Sequence, residues 1–587
     1  MLVRSSSLRL RPRPARRAVA AARALSIALI VTLAPAGIAA STDVPEQVTF
    51  AEHVAPIFFS HCISCHRPGD VAPMSLLGYE EARPWAKSIQ RVVDSGEMPP
   101  WDADPRYGDF ANDISLSDEQ VETIKRWVQQ GARPGDLAAM PEPPAVPPPG
   151  SWKMGRDPDV VVELAEVEVA ADGPDLFYSQ VVGLEIPEGK WLQAIELLPG
   201  NTQVLHHVVT YLGPFGISDE NEASNAGIFR TIYLNEAAKR PIGMAEAPSV
   251  GAVWVAGSPP TQFPPGIGHP LDANQLVSLN MHFHPSGVAG SDRSKLGFYF
   301  GEGEMEKEIT TAFAADPGIL IPAGAAEHRE TATYLFAQDG QILSLLPHMH
   351  QRGKAMRYTL ERADGSREVL LHVPEYDYDW QNIYRFAEPV SVEAGALLEV
   401  EAVWDNSAGN EANPDPSIDV RWGDGTTNEM LVAFFDFVVD EGIKPRGVRG
   451  DERITDLLSR HEDAEAYAIH VDGMGFGGPM GLVLPAEEKG DEGRFYVSFG
   501  SLMFSTSLPN TFVAGEDLVL NAAMITSGGG TRMPLGLLAR HTETGLEGEL
   551  FFGRELTPDN VEQVRGQGRK FVGTPVSGTG GSGSSGR

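Results

Sequence analysis

Apolar and polar side chains alternate over most of this chain, in short segments divided by Gly, Pro, Asn and Asp. Short segments with this strand character include 160–162, Val167–Val169 and 193–197, and they continue to about residue 440. Alternation with a period of two predicts strands that bury one face, and many short strands with regular turns are typical of β-sandwiches. The region is long enough for two jelly-roll-like sandwich domains, which we place at 158–296 and 297–445.

The first part of the chain has helical rather than strand periodicity. Residues 49–60 and 117–130 each place apolar side chains three and four positions apart, and Ser117 is a favourable residue for a helix start. A Pro-rich stretch over 136–157 predicts a stiff, extended linker. We therefore predict a small α-helical domain over 45–135 that forms a separate module.

The region over 446–573 shows strand patterns again. The runs at 494–499 and 517–520 predict strands, and 557–566 predicts a short helix. Residues 574–587 are mostly Gly and Ser, which predicts a disordered tail. The chain as a whole is therefore predicted to be multidomain and mainly β, with an appended β-rich domain near its C-terminal end.

The first 40 residues have the composition of a secretory leader. They contain seven arginines and no acidic residue, with an apolar run over 24–34 and small residues up to a cleavage point after Ala39 or Ala40. Arg16 and Arg17 leave open whether export uses the general or the twin-arginine route. The apolar run is too short to span a membrane, and no later segment is long enough. We predict a cleaved leader over 1–40 and a periplasmic or secreted protein with no membrane span.

The charge of the chain limits its partners. Its 587 residues include 80 acidic and 46 basic side chains, for a net charge of −34 at pH 7. So acidic a surface repels phosphate groups, which argues against nucleic acid and anionic membrane surfaces as partners. The same charge suits solubility in the periplasm, or contact with a basic electron-donor protein.

Both cysteines of the chain lie in one five-residue stretch, Cys62-Ile63-Ser64-Cys65-His66. Cysteines at this spacing can form thioethers with the vinyl groups of a haem, and the histidine that follows can reach the iron. The alternative is a redox-active cysteine pair, which the adjacent histidine disfavours. We predict one covalently bound c-type haem.

A methionine would complete the coordination of this haem opposite His66. Met98 is followed by two prolines, which restrict the backbone of its loop and leave the side chain little entropy to lose. Met74 is the competing ligand, and we favour Met98. Ligation by histidine and methionine raises the haem potential and suits one-electron transfer. The segment 45–135 resembles a small class I cytochrome c.

Six of the fifteen histidines fall in three short windows with strand patterns. The windows contain, in turn, His206 and His207, His282 and His284, and His348 and His350. Residues two apart on a strand point to the same face, so such a pair can present two imidazoles to one metal ion. Three such windows in an exported chain predict metal binding.

Copper fits these histidines best. The only cysteines are those of the haem motif, and the chain has no HExxH helix of the kind found in zinc proteases. Imidazole, with or without a thioether, binds both Cu(I) and Cu(II), whereas zinc would bind the same residues without carrying electrons. A haem domain on the same chain therefore favours a redox-active metal.

The histidine windows resemble the copper type II, ascorbate-dependent monooxygenases, the family of dopamine β-monooxygenase and peptidylglycine α-hydroxylating monooxygenase. The resemblance covers 158–440, roughly half the chain. It rests on His206-His207-Val208, Met281-His282-Phe283-His284-Pro285, Pro347-His348-Met349-His350-Gln351-Arg352-Gly353-Lys354 and Thr426-Thr427-Asn428-Glu429-Met430. Together these four motifs are specific to the family.

The resemblance implies two sandwich domains that each bind one copper and face each other across a solvent-filled cleft. The implied ligands are His206, His207 and His282 for an electron-storing copper, and His348, His350 and Met430 for an oxygen-activating copper. We call these groups the first set and the second set. His284 matches no ligand position, and we expect it to hydrogen-bond near the site.

The resemblance also implies the reaction. Members of the family hydroxylate a C–H bond with O2, placing one oxygen atom in the product and one in water, with electrons from ascorbate. For this chain we expect a small organic substrate and an external donor, either an ascorbate-like reductant or a redox protein, with the haem domain supplying or relaying the electrons. The alternatives are a non-catalytic haem and copper electron carrier or copper-binding protein, and an interaction protein built on sandwich scaffolds.

The chain departs from the peptide-hydroxylating members of the family. Where they have an arginine two residues before the His-x-His motif, this chain has Leu346, and their asparagine and tyrosine after the ligand methionine are matched by Val432 and Phe434. A substrate carboxylate buried there would have no partner, at a cost of several kcal/mol. We therefore expect an apolar pocket and a substrate that is not a peptide C-terminus.

Overall fold

A computed structural model describes most of the chain after residue 43. The described residues are 44–145, 147–148, 150–213, 222–224, 227–239, 249–255, 257–423, 425–443, 450–461, 464–471, 480–484, 493–499, 502–525 and 532–576. The predicted leader over 1–40 lies outside them, as does most of the predicted tail. Strands account for 43% and helices for 12%, in several sheets, so the prediction of a mainly β protein is confirmed. Within these residues, no helix has the length and apolar character that crossing a membrane requires.

Helices are concentrated before residue 130. They are a π-helix at Phe50–Val54, α1 at Ala55–His61, α2 at Tyr79–Ala82, a 3-10 helix at Arg83–Trp85, α3 at Ala86–Asp94 and α4 at Asp118–Gln129. The helix predicted over 49–60 is thus a π-helical turn joined to α1, and the helix predicted over 117–130 is α4. Ser117 and Gln120 exchange side-chain to backbone hydrogen bonds, which satisfies two backbone donors at the start of α4.

The helical segment has a core of its own. The ring centroid of Trp127 lies 5.8 Å from that of Phe50 and 6.5 Å from that of Phe58, and all three rings are fully buried. Aromatic pairs at such distances add about 0.5–1.5 kcal/mol beyond the burial of their area. These contacts fix α1, which precedes the cysteine motif, against α4.

Two six-stranded sheets follow. Their strands and a separate two-stranded ladder, β2 with β12, are β1 Val160–Glu163, β2 Val167–Val169, β3 Leu176–Glu185, β4 Trp191–Leu198, β5 Leu205–Leu212, β6 Glu222–Ser224, β7 Gly227–Tyr233, β8 Ser249–Val255, β9 Thr261–Gln262, β10 Ile267–Pro270, β11 Asn274–Phe283, β12 Gly290–Asp292, β13 Lys295–Phe300 and β14 Lys307–Glu308. One sheet has the order β1-β13-β4-β10-β14, with β9 on β4, and the other has the order β6-β7-β3-β11-β5-β8. A 3-10 helix at Glu236–Lys239 packs on β3. Side chains from both sheets, including Leu192 and Leu279, share one buried core.

A second pair of sheets has four strands each. The strands, with the short ladder of β16 and β23, are β15 Thr310–Ala315, β16 Leu320–Ile321, β17 His328–Leu335, β18 Gly340–His348, β19 Gly353–Glu361, β20 Arg367–Val373, β21 Tyr384–Val392, β22 Leu397–Trp404, β23 Val420–Arg421 and β24 Val432–Val439. The orders are β15-β24-β18-β21 and β17-β22-β19-β20. Their common core includes the fully buried rings of Trp404 and Tyr334.

The C-terminal part contains one nine-stranded sheet with the order β28-β27-β26-β25-β33-β32-β31-β30-β29. Its elements are α5 Gly450–Ser459, β25 Ala466–Val471, β26 Met480–Val483, β27 Arg494–Phe499, β28 Leu502–Ser507, β29 Phe512–Ala514, β30 Asp517–Ile525, β31 Arg532–Thr542, β32 Gly545–Phe552, α6 Val561–Val564 and β33 Arg569–Pro575. The strand patterns at 494–499 and 517–520 are therefore confirmed.

Three local features of this part differ from the sequence predictions. Helix α5 was not predicted, and it packs Ile454 and Leu457 into a core shared with the sheet. The helix predicted over 557–566 is only α6, because the side chain of Asn560 accepts a hydrogen bond from the Thr557 backbone and holds the preceding residues in a turn. Strand β33 also extends to Pro575, beyond the predicted boundary at 573.

Part of the segment over 45–135 is built into the second pair of sheets. The ring centroid of Trp101 lies 4.9 Å from that of Tyr384, and Phe110 forms a β-bridge with Phe386. Phe110 belongs to the same buried core as Trp404. The expected separate module is not observed, because these aromatic side chains find their apolar partners on β21 rather than within the helical segment.

Candidate metal centres

The first set lies on two neighbouring strands. His206 and His207 are near the start of β5, and His282 is near the end of β11, directly opposite His207 in the antiparallel pairing. A register shift follows between His282 and Phe283, and irregularities of this kind re-aim side chains. Strand pairing thus brings together histidines that are far apart in the sequence.

The three imidazoles converge on one point. One ring nitrogen of each lies within 4.8 Å of those of the other two, and Nδ1 of His206 is 3.0 Å from Nδ1 of His207. The ring centroid of His282 is 4.8 Å from that of His206 and 4.9 Å from that of His207. Three nitrogen donors in this arrangement suit a zinc or copper ion.

Carboxylates hold the outer nitrogens of two of these rings. Asp175 Oδ2 lies 2.9 Å from Nε2 of His282, and Asp379 Oδ1 lies 3.3 Å from Nε2 of His206. Nδ1 of His282 is buried and has no hydrogen-bond partner among the described residues. Histidine ligands of metal sites give their second nitrogen to a carboxylate in the same way, which fixes the orientation of the ring. The residues of the first set therefore fit a metal ion.

The surroundings of the first set favour the neutral form of His207 and His282 and the ionised form of the two carboxylates. Burial and the neighbouring histidines lower the pKa of His207 well below its usual value, and burial also lowers the pKa of His282. The hydrogen bond with His206 lowers the pKa of Asp379. Burial alone would raise the pKa of Asp175, but its bonds with two histidines outweigh burial and lower it. Neutral imidazole is the form that binds a metal cation.

His284 lies beside the first set rather than in it. Its Nδ1 is 2.8 Å from Asp175 Oδ1, and its side chain is 65% exposed. It therefore hydrogen-bonds to the residue that orients His282, as expected for a role near the site. Sequence reasoning missed Asp175 and Asp379, because one immediately precedes β3 and the other lies in a loop, where no periodic pattern marks them.

In the second set, His348 ends β18 and His350 follows just beyond it. Nδ1 of His348 is 2.7 Å from Gln381 Oε1, and Nδ1 of His350 is 3.2 Å from the carbonyl oxygen of Asn428. Both rings thus keep Nε2 for a metal. Burial lowers the pKa of His348 and, with the neighbouring His348, lowers that of His350 to about 3, so both imidazoles are neutral at pH 7.

Strand pairing ties Met430 to the second set. Val432, two residues later, lies opposite His348 in the pairing of β24 with β18. Glu429, the residue before Met430, accepts a hydrogen bond of 2.9 Å from the backbone N–H of His350. Met430 itself is half-buried and packs against the core of the two sheets. The backbone on both sides of the methionine is therefore fixed to the two histidines.

The loop between β20 and β21 contacts both sets. It supplies Asp379 to the first set and Gln381 to the second. The ring centroid of Tyr378, in the same loop, lies 6.4 Å from that of His282 and 6.0 Å from that of His350. The Tyr378 ring therefore lies close to both sets.

A buried glutamate and a buried arginine near it support the second set. The Glu429 carboxylate accepts hydrogen bonds from the backbone N–H groups of His350 and Arg352, at 2.9 and 2.6 Å, and from Trp404 Nε1 at 3.1 Å. Arg352 is fully buried and donates to Asn406 Oδ1 at 2.9 Å. Burial raises the pKa of Glu429 to about 7, while its hydrogen bonds and the nearby guanidinium favour the charged form.

The cysteine motif follows α1. Cys62 and Cys65 are half-buried and are not joined in a disulfide. Nδ1 of His66 lies 3.3 Å from the carbonyl oxygen of Met74, and burial lowers the pKa of His66, so a neutral ring keeps Nε2 for an iron. Met98 is half-buried after α3, and its N–H donates to the carbonyl oxygen of Val92. Thiols and a neutral imidazole are the groups that a c-type haem requires.

No protein-family model matches this chain. In the described structure, ring nitrogens of the three histidines of the first set lie close to one another. Strand pairing and backbone hydrogen bonds connect the three members of the second set. A functional interpretation therefore rests on these geometries and on the motifs in the sequence.

Replacing Asp175 with alanine is expected to weaken copper binding at the first set. The substitution frees Nε2 of His282 and removes the constraint on the ring, and loss of such partners costs about 10–100-fold in metal affinity. Copper titration of the metal-depleted protein measures the change. The exposed Asp172, three residues earlier, provides the control, and an Asp175→Ala affinity equal to that of Asp172→Ala would contradict the assigned role.

Proposed function

We propose that this protein is an exported copper-dependent monooxygenase that hydroxylates a C–H bond of a small organic substrate with O2. In this proposal it is a copper type II, ascorbate-dependent monooxygenase, with two sandwich copper domains, fused to a class I cytochrome c domain. Its own c-type haem supplies or relays the electrons, and an external reductant or redox protein reduces the haem.

The geometry around His282 carries the proposal. A buried nitrogen without a hydrogen bond costs about 1–3 kcal/mol, so a histidine with only a packing role would use both nitrogens. In His282, Nε2 is hydrogen-bonded to Asp175, while Nδ1 has no hydrogen-bond partner among the described residues. The His282 ring lies close to those of His206 and His207. A metal bound by the three rings would satisfy that nitrogen. Copper is favoured over zinc because a haem on the same chain can exchange electrons with it.

The second set supplies the other half of the chemistry. A copper bound there by two imidazoles and a thioether would favour Cu(I), the state that binds O2. The chain orients the imidazoles through Gln381 and the Asn428 carbonyl, and it holds the backbone of His350 through Glu429. These contacts support His348, His350 and Met430 as the ligands that activate oxygen.

The side chains beside the second set support an apolar substrate. The ring centroid of Phe434 lies 6.3 Å from that of His348 and 5.7 Å from that of Phe313. Leu346 and Val432 are both buried on the neighbouring strands. A substrate carboxylate placed among these groups would lose its hydration without gaining a partner. The proposed substrate is therefore an apolar molecule rather than a peptide C-terminus.

The contact between His66 and Met74 supports Met98 as the second haem ligand. The Met74 carbonyl oxygen lies 3.3 Å from Nδ1 of His66, so the Met74 backbone would be on the histidine side of a bound haem. A second ligand must approach the iron from the opposite side. Met98 lies in a separate loop after α3, which leaves it free to take that position.

Replacing Met98 with alanine is expected to remove the thioether–iron bond while the haem stays covalently attached. The haem potential should fall, since axial ligands set potentials over a span of about 0.8 V. Redox titration followed by visible absorption measures the potential, and loss of the sulfur-to-iron band near the red end of the spectrum reports the ligand. Met74→Ala is the matched control; a fall in potential in Met74→Ala but not in Met98→Ala would reverse the assignment.

The copper content per haem of the purified protein, with its electron paramagnetic resonance spectrum when oxidised, tests the proposal. We expect two magnetically uncoupled type 2 coppers for each haem, and hydroxylated product when a suitable apolar substrate and O2 are supplied. A single copper or none would contradict the proposal. A single copper would favour the alternative of a non-catalytic haem and copper carrier or copper-binding protein, and no copper would favour an interaction protein built on sandwich scaffolds.

A further inference from the structure

The haem attachment site lies directly against the part of the chain that bears the first set. A Cβ atom added to Gly257 would lie only 2.2 Å from Sγ of Cys65, which is far below a possible contact distance. Gly257 also has a φ of +84°, a conformation that glycine adopts without strain. The bare backbone of Gly257 is therefore what allows Cys65 to approach this closely.

A short turn links this contact to the first set. Gly257 lies two residues after Val255, the last residue of β8. Ser258 closes the turn, because its N–H and its Oγ both donate to the Val255 carbonyl oxygen, at 3.0 and 2.8 Å. Val255 lies opposite His207 in the pairing of β8 with β5. One hydrogen-bonded turn and one cross-strand pair thus separate Cys65 from a histidine of the first set.

A second contact leads from the haem-binding segment to the other set, but by a longer path. Asn382 donates from its side-chain nitrogen to the Pro100 carbonyl oxygen at 2.9 Å. Gln381, the next residue back, contacts His348. This path runs from Met98 through two prolines and then through two complete side chains. The Cys65 contact is shorter, and it begins at an atom that would be bonded to the haem itself.

We propose that Gly257 is a positioning residue that seats Cys65 against β8, so that electrons pass from the haem to the first set through His207 and not directly to the second set. One electron leaves Fe(II) haem and reduces Cu(II) to Cu(I), which regenerates Fe(III) haem without transfer of an atom or proton. This inference rests on the proposed function and specifies which of its two copper sites receives the electrons.

The test follows electron transfer in the oxidised, copper-loaded protein without O2 or substrate. A substoichiometric reductant reduces the haem in a stopped-flow mixer, visible absorption follows haem reoxidation, and electron paramagnetic resonance identifies the copper that is reduced. Gly257→Ala is expected to slow reoxidation several-fold, because the added Cβ must displace Cys65 Sγ and lengthen the electron-transfer path, and tunnelling rates fall steeply with distance. Haem and copper content are measured in the same samples.

Gly287→Ala is the matched control, since Gly287 has the same φ of +84° but nothing within 4 Å of an added Cβ. It should keep the original rate. An unchanged rate in Gly257→Ala, or a slowed rate in Asn382→Ala alone, would overturn the inference while leaving the copper sites intact. Absence of copper from the unaltered protein would instead overturn the proposed function, and this inference with it.

If Gly257→Ala does not fold or lacks haem, a second measurement tests whether electrons pass through the first set. In His282→Ala, copper should remain only in the second set, and Gly257 is unchanged. Loss of fast haem reoxidation in this variant supports electron transfer through the first set. Fast reoxidation by the copper of the second set alone would overturn it.

Discussion

His282→Ala is expected to empty the first set of copper and to lower product formation at least ~100-fold, to the background of copper-free protein. The reason is that the variant removes a metal ligand, whereas loss of a residue that merely orients a ligand already costs about 10–100-fold in affinity. Copper in the second set and the haem should remain, since neither includes His282. Copper per haem, paramagnetic resonance and product formation with saturating reductant measure the effect.

His284→Ala is the matched control for this experiment. Both histidines lie near the end of β11 and both bind Asp175, but only His282 has a buried nitrogen without a partner among the described residues. His282→Ala also removes a ring stacked on Phe177, with centroids 4.5 Å apart, so the thermal unfolding midpoint is recorded for both variants. Equal copper content in a folded His282→Ala and in His284→Ala would show that the first set does not bind copper.

Glu429→Ala is expected to lower the free energy of unfolding by at least about 1–3 kcal/mol, the cost of leaving a buried donor without its acceptor. The variant also removes the carboxylate whose charge most favours the guanidinium of the fully buried Arg352. It also leaves two backbone N–H groups and the indole N–H of Trp404 without their acceptor. Urea-induced unfolding followed by circular dichroism measures the loss.

Glu388→Ala controls for the loss of a glutamate in the same part of the chain. Glu388 is exposed on β21, so its replacement should change stability by less than about 0.5 kcal/mol. The same Glu429→Ala protein should bind less copper at the second set, because His350 loses its backbone anchor. A destabilisation no larger than that of Glu388→Ala would show that Arg352 is held by its other hydrogen bonds alone.

Local patterns in the sequence were sufficient for elements whose stability is local. Helix α4 was predicted from the spacing of its apolar side chains and from Ser117 at its start, and in the structure Ser117 and Gln120 cap it within one turn. The strands at 494–499 and 517–520 were predicted from short runs of residues that favour strands. The short helix predicted over 557–566 was too long, since a side chain of Asn560 competes for the backbone of the preceding turn. Capping and periodicity act over a few residues, so a sequence records them directly.

The histidines of the candidate site could also be predicted, because histidine is an uncommon residue and its spacing on a strand has a chemical meaning. The carboxylates that hydrogen-bond to these histidines could not be predicted from the sequence. Asp175 and Asp379 lie outside the strands and meet His282 and His206 only after distant segments pair. A single carboxylate in a loop carries no pattern that distinguishes it from a solvated surface charge.

The sequence by itself determined the residue types of both proposed metal sets and of the proposed haem motif, the mainly β character, and the helices that became α1 and α4. Only the tertiary structure decided that the segment after the cysteine motif packs on β21, that Tyr378 lies close to both sets, and that Cys65 contacts Gly257 next to β8. Most of these features depend on contacts between residues more than ninety positions apart. Such contacts form where apolar and charged groups find partners in space, and neither periodicity nor composition specifies which partner that is.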